Sequence, residues 1–328
     1  MGTKIKVIIL VVALSISIPL VFAATSYSSS NVIVDNTTSA ITSLYLQDAI
    51  DEIDYYCSVK SPKDYMCKNN SPKCQRATTL HTEPCTSSST SQNCQADGYS
   101  LNDTITYGNT TTTTGVLTVG DAFDCDVNGD GTFDSVTERF YYVSNYFDTS
   151  AKKFNDKVAV LVYYSNTDNG VASTTDVAYD CSNQNYNGPV TAIGDLPTTT
   201  QWSNIRLYKN TRQILAQNNA TTTNGGTLPT AFDYSGYGAR LLTFQELYHS
   251  CYDFRNTIGE SCQFLFERTK YANSSYSTYG SWLETPFASF TNNVYYWRST
   301  NRYASSSSAY STIGARPTIE VLKSEISY

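Results

Sequence analysis

The chain has 328 residues, with 22 Lys and Arg against 29 Asp and Glu, for a formal charge of −7. That acidic balance excludes the basic stripe on which nucleic-acid binding depends. With 27 Tyr and only 2 Met, the composition suits β-structure and polar loops rather than a helical bundle, and the length allows one large domain plus an appendage.

Residues 1–23 read as a secretory signal peptide. Lys4 and Lys6 form the charged start, and Val7 to Phe22 is an apolar run broken by Ser15, Ser17 and Pro19. Val21 and Ala23 stand where a signal peptidase reads, so cleavage is expected after Ala23. An uncleaved anchor is the rival reading, but the run is shorter than the roughly 20 apolar residues that span a bilayer. An extracellular or cell-surface location follows, with no membrane span in the mature chain.

Residues 24–56 form a first unit. Val32-Ile33-Val34 reads as a short strand, and Leu46, Ala49, Ile50 and Ile53 fall at helical spacing behind Ser43 as N-cap. The segment resembles stalks near the N-termini of bacterial surface proteins and phage fibre proteins, which implies a homo-oligomer. A small helix packed on its own domain fits the residues equally well.

Residues 57–115 form a Cys-rich and Thr-rich insert or linker, closed by the run Thr110–Thr114. Its few aliphatic residues cannot build a core, so disulfides must hold it if it is ordered. The chain has 9 Cys, and in an exported protein these indicate disulfides. Cys57, Cys67, Cys74, Cys85 and Cys94 crowd into this insert, and Cys125 and Cys181 are scattered. Their connectivity stays open. Cys251 and Cys262 flank the end of an expected helix and are paired here. The odd count leaves one thiol free or bridged to another chain. A zinc site is disfavoured, because no C-x-x-C occurs.

Residues 116–328 read as one domain. Arg139–Tyr146 and Lys157–Tyr164 are strand candidates, with a turn at Asn166–Gly170. Pro197–Trp202 is expected to open a helix. Thr243 and Glu246 make a capping box, which places a helix at about Phe244–Tyr252. A further helix is expected over Cys262–Lys270.

The run Asp126-Val-Asn-Gly-Asp-Gly-Thr-Phe-Asp134 carries the clearest chemistry. Asp126, Asn128, Asp130 and Asp134 alternate along the loop, Gly131 permits a sharp turn, and Thr132 can add its carbonyl. Calcium takes such a cage of oxygens. Thr137 stands where the closing acid belongs and Glu138 follows one residue late, so the loop is not a standard EF-hand. A structural calcium site over Asp126, Asn128, Asp130, Thr132, Asp134 and Glu138 is the expectation. A hairpin turn that binds nothing is the alternative.

Four later segments follow in order: Gly236–Glu246, Ser281-Trp-Leu-Glu-Thr-Pro286, Val294-Tyr-Tyr-Trp-Arg298 and Ile313-Gly-Ala-Arg-Pro-Thr-Ile-Glu-Val321. A helix opener, a Trp strand, a polar aromatic run and a Gly-Ala-Arg-Pro close resemble the C-type-lectin-like domain in its broad sense. Formylglycine-generating enzymes and retroelement-diversified binding proteins share that scaffold, and a domain family of secreted proteins in gut Bacilli is similar. The resemblance implies an α+β fold of short antiparallel strands and a few helices. It also implies a ligand face drawn from Tyr295, Trp297, Arg298, Asn301, Arg302, Tyr303 and Tyr310, taking a glycan or a surface protein. Alternate residues of Val294–Arg298 must point inward, so Trp282 and either Tyr296 or the Val294/Trp297 side are assigned to the core. Arg316 is expected on a buried acid or carbonyl, and Pro317 at the start of an edge strand.

No catalytic centre is expected. No Cys follows Cys262 to carry formylglycine-type chemistry, and no Gly-x-Ser-x-Gly occurs. His249 and Cys251 are two residues apart on one helix and face different ways. Glu260, Glu267 and Glu284 lack a spacing that would pair two acids. Two other roles remain: a structural envelope or fibre component, and a variable binding protein diversified over Asn292–Tyr310.

Overall fold

In chain order, β1 (Cys74–Arg76) is followed by a hairpin of β2 (His81–Pro84) and β3 (Thr104–Tyr107). Next come β4 (Ala122–Cys125), β5 (Arg139–Asp148) and β6 (Lys153–Tyr163). The α-helix α1 (Phe244–Cys251) precedes β7 (Lys270–Ala272), β8 (Thr278–Pro286), β9 (Asn293–Arg298) and β10 (Tyr303–Ser308). The chain closes with β11 (Thr318–Leu322) and β12 (Ile326–Ser327). This computed structural model describes residues 72–84, 104–108, 110, 115–173, 175–251, 262, 265, 270–272, 278–298 and 303–328. The signal segment, the 24–56 segment, Cys57, Cys67, Cys85 and Cys94 lie outside those residues.

Strands β11, β6, β5, β4, β1 and β12 form one six-stranded sheet in that order. All neighbours are antiparallel except β1 with β12. The expected strands over Arg139–Tyr146 and Lys157–Tyr164 are there, as β5 and β6. Aromatic and β-branched side chains fill them, and these suit a pleated, half-buried surface. Every residue from Val158 to Tyr163 is buried, as a strand covered on both faces requires. The sheet also takes β1 from the segment read as an insert. Cys74 pairs directly with Cys125 and is disulfide-bonded to it. That segment is too poor in aliphatic residues for a core of its own and joins this one. Pro72–Tyr328 accordingly forms one compact unit.

Strands β7 to β10 form a second, antiparallel sheet. Two cores meet it. Trp282, Val294 and Tyr296 belong to one, with Tyr179, Ile214, Tyr234 and Ile313. Leu283 and Trp297 belong to the other, with β4, β5 and β6. Successive residues of a strand face opposite ways, so β8 and β9 are covered on both sides.

The fold is mostly β, with mixed sheets and one α-helix among the described residues, rather than a clear α+β arrangement. Pro197–Trp202 corrects the helix expectation. One turn closes, with Trp202 N–H on the Thr198 carbonyl at 2.9 Å, and the chain then leaves the helical path: Asn204 N–H bonds the Val127 carbonyl at 3.0 Å. The helix expected over Cys262–Lys270 lies largely outside the described residues, and Lys270 itself begins β7. Arg316 sits on two carbonyls, with Nε donating to Tyr163 O and Nη1 to Leu265 O, each at 2.5 Å. The following strand, β11, is an edge of the large sheet, so both expectations for the Gly-Ala-Arg-Pro segment hold.

Candidate recognition face and its buried support

The capping box at α1 is reciprocal. Glu246 N–H donates to Thr243 Oγ1 and Thr243 N–H donates to Glu246 Oε2, both at 3.1 Å. A third bond fixes the helix to the second sheet, from Phe244 N–H to Thr285 Oγ1 at 2.9 Å. The helix ends at Cys251, which is bonded to Cys262 as expected. That bond removes the thiol any Cys/His pair would need. His249 instead stacks on Phe154 with ring centroids 4.3 Å apart.

Phe244 and Tyr248, four residues apart on one helical face, stack at 5.5 Å. Phe244 also meets Tyr295 of β9 at 4.5 Å, and Tyr295 stacks on Phe287 at 4.8 Å. Phe287 meets Phe290 edge-on at 5.2 Å. The five rings make a ladder that is half-buried in the middle and open at both ends, where Tyr248 is 50% and Phe290 47% exposed. Sequence reasoning found only Tyr295. The spacing of Phe244 and Tyr248 on α1 was the available signal for two more.

The other expected ligand residues divide. Trp297 is a correction: it is fully buried, with the Arg316 guanidinium 5.9 Å from its ring centroid. It has no face for a ligand, because a core covers each side of β9. Trp282, Val294 and Tyr296 are buried too, so the choice between core sides resolves to both. Tyr310 is 64% exposed. Its N–H bonds Asn183 Oδ1 at 3.3 Å, and it stacks on none of the ladder rings. Arg298 and Tyr303 are backbone partners across β9 and β10. Asn301 and Arg302 lie outside the described residues.

In the Asp126 loop, side-chain oxygens hold the loop's own N–H groups. Asp126 accepts from Gly129 and Gly131 at 2.8 and 3.1 Å, Asn128 from Asp130 at 2.8 Å, and Asp130 from the Thr132 hydroxyl at 2.5 Å and the Thr132 N–H at 2.8 Å. Asp134 accepts from Val136 at 2.7 Å and from the Thr137 hydroxyl at 2.9 Å. These bonds hold the Asp130 and Asp134 carboxyls below the usual range. Glu138 is buried beneath the loop and accepts from Val127 and Asp134 at 3.2 and 3.1 Å, and burial pushes its carboxyl up. Among the described residues no three His, Cys, Asp or Glu side chains converge as a metal cage.

Behind α1 lies a charge cluster that sequence reasoning missed. Arg240 puts Nη2 and Nη1 on the two Glu246 oxygens at 2.6 and 2.9 Å, and Nε on Glu320 at 2.5 Å. Arg212 donates to Glu320 from Nη1 at 3.2 Å, and its Nε stands 3.0 Å from Glu284. Tyr234 donates to Glu284 Oε2 at 3.0 Å. The five charged side chains are 2% exposed or less. Burial opposes charge at Glu246, but Arg240 outweighs it and holds that carboxyl below the usual range. Burial prevails at Glu284 and pushes its carboxyl up. Single charges inside apolar runs (Arg240-Leu-Leu, Trp-Leu-Glu284, Ile-Glu320-Val) were the signal, since a buried charge requires a partner.

The fold and these sites define a mostly β, disulfide-stapled protein with an aromatic surface ladder. No protein-family model matches the chain, and no curated protein or solved structure matches it.

Proposed function

We propose that the chain is an exported, non-catalytic recognition protein at the cell surface, of the C-type-lectin-like kind, which binds a glycan or protein through the face around Tyr295. The ladder from Tyr248 through Phe244, Tyr295 and Phe287 to Phe290 carries the reading. Aromatic groups dominate binding energetics, and contiguous exposed apolar surface marks interaction sites. Export is supported by the leader-like start and by disulfides, which persist in oxidising compartments. Catalysis finds no support at Glu284, which is buried on Arg212, or at Cys251.

Calcium is part of the reading, in a structural role. Asp126, Asn128, Asp130, Thr132, Asp134 and Glu138 would hold it. Their donors are all oxygen, as calcium prefers, and the turn that carries them is already formed. Closing the cage requires the exposed Asp130 and Asp134 to turn inward.

A glycan-array screen of the purified protein, with calcium and with EDTA, tests the proposal. Binding that falls at least tenfold in Tyr248→Ala and Tyr295→Ala is the expected result. Binding unchanged in both variants, or absent from glycans and cell-surface extracts alike, would overturn it.

A further inference from the structure

We propose that the buried cluster behind α1 keeps one proton at neutral pH, carried by the Glu284 carboxyl. The count of charges requires a choice. Among the described residues, Glu246, Glu284 and Glu320 face two cations, Arg212 and Arg240, and all five side chains are sealed from solvent. Three carboxylates would leave an uncompensated buried charge, which is the costly case.

Geometry selects Glu284. Glu246 accepts four bonds: two from Arg240, one from Phe147 N–H at 3.0 Å and one from Thr243 N–H. Glu320 accepts from Arg240, Arg212 and Tyr208 N–H, the last at 2.7 Å. Among the described residues the Glu284 carboxyl accepts one bond, from the Tyr234 phenol. Arg212 Nε is near its other oxygen but makes no hydrogen bond there. As a neutral acid, Glu284 holds one proton on its carboxyl while Oε2 continues to accept from the Tyr234 hydroxyl at 3.0 Å.

The remaining titratable neighbours do not supply a balancing charge. Tyr179 donates to the Glu284 main-chain carbonyl at 2.7 Å. Tyr146 offers its ring to both guanidiniums, at 5.5 and 5.9 Å, while its buried hydroxyl has no partner. Burial raises both phenols, so they stay protonated and neutral. With Glu284 protonated the cluster is electrically neutral.

The sign of the linkage follows. A carboxyl whose folded pKa is raised contributes stability at low pH that is lost as pH rises through the folded value. Burial raises Glu284 in this way, so the retained proton becomes a liability of the fold on the alkaline side. Glu284 also adjoins Thr285, which caps α1, so the loss is expected to loosen the aromatic ladder first.

The test combines infrared spectroscopy at pH 7 with thermal melts. The carbonyl band of a protonated carboxylic acid should appear in the parent and shrink by one acid in Glu284→Gln. That variant should melt at or above the parent, with a gap that widens toward pH 9. Glu246→Gln and Glu320→Gln should each lower the melting temperature by about 10 °C or more. Three results would each overturn the proposal: no change in the band, a Glu284→Gln variant as unstable as the other two, or one that does not fold.

Discussion

Arg240 and Glu246 are six residues apart in sequence and meet in a bidentate pair, with both terminal nitrogens of the guanidinium on the two carboxylate oxygens. The same carboxylate closes the capping box of α1. One side chain therefore starts the helix and anchors it to the core. Glu246→Ala should cost about 3–5 kcal/mol, because it removes both bonds to the buried Arg240 terminal nitrogens and leaves Glu320 as the one acid on that guanidinium among the described residues. Arg240→Met with Glu246→Leu should cost less than the sum of the two single changes, since no charge is then left unpaired. Urea unfolding of the parent, Glu246→Ala, Arg240→Met, Glu246→Leu and the double variant checks both statements.

Gly314 and Gly280 are set by close approach. A Cβ on Gly314 would lie 1.9 Å from Asn166 Nδ2, and one on Gly280 would lie 1.6 Å from the Trp297 carbonyl oxygen. Asn166 cannot yield freely, because it bonds Gly280 O and Ser281 Oγ. Either Gly→Ala change should destabilise by about 3 kcal/mol. Gly236→Ala, which meets nothing within 4 Å, is the control expected to be near neutral.

The Cys74–Cys125 bond closes a separation of 51 residues and the Cys251–Cys262 bond one of 11. Loop-closure entropy assigns them about 4 and about 3 kcal/mol. The Cys74→Ser/Cys125→Ser protein should therefore melt below the Cys251→Ser/Cys262→Ser protein. Scanning calorimetry under non-reducing conditions decides the order. Cys181 is free and exposed and should account for a thiol titratable in the native protein, lost in Cys181→Ser.

Burial, with Asp168 nearby, pushes the Asp195 carboxyl up to about 6. Its neutral form is the one the fold prefers. The stability it contributes is present below about pH 4 and is lost as pH rises through 6. Asp195→Asn should stabilise the protein at pH 7 by about 1 kcal/mol, after allowance for screening at a half-exposed site. The gain should vanish near pH 4. An equal gain at both pH values would exclude this assignment.

Much of the local structure was legible in the sequence. Aromatic and β-branched runs marked β5 and β6, Thr243 and Glu246 marked the start of α1, and proximity paired Cys251 with Cys262. Arg316 beside an expected strand signalled a buried acid or carbonyl as its partner, and two carbonyls take it. Each signal is carried by residues close in the chain, through a side-chain period, a cap or a short loop.

The candidate site was legible only in part, because it is made by layers. Val294–Arg298 reads as a strand, but whether one face or both are covered depends on what packs against it. Cores from residues 123–163 and 179–234 cover the two sides, and that placed Trp297 inside and left Tyr295 in the surface ladder. The charge cluster likewise joins Arg212, Arg240, Glu246, Glu284 and Glu320, and past the turn at Pro197 the Asn204 N–H is held by the distant Val127 carbonyl. The sequence by itself determined the elements and their caps. Only tertiary structure decided which faces are buried and which charges meet, because burial and ion pairing depend on groups that distant parts of the chain bring together.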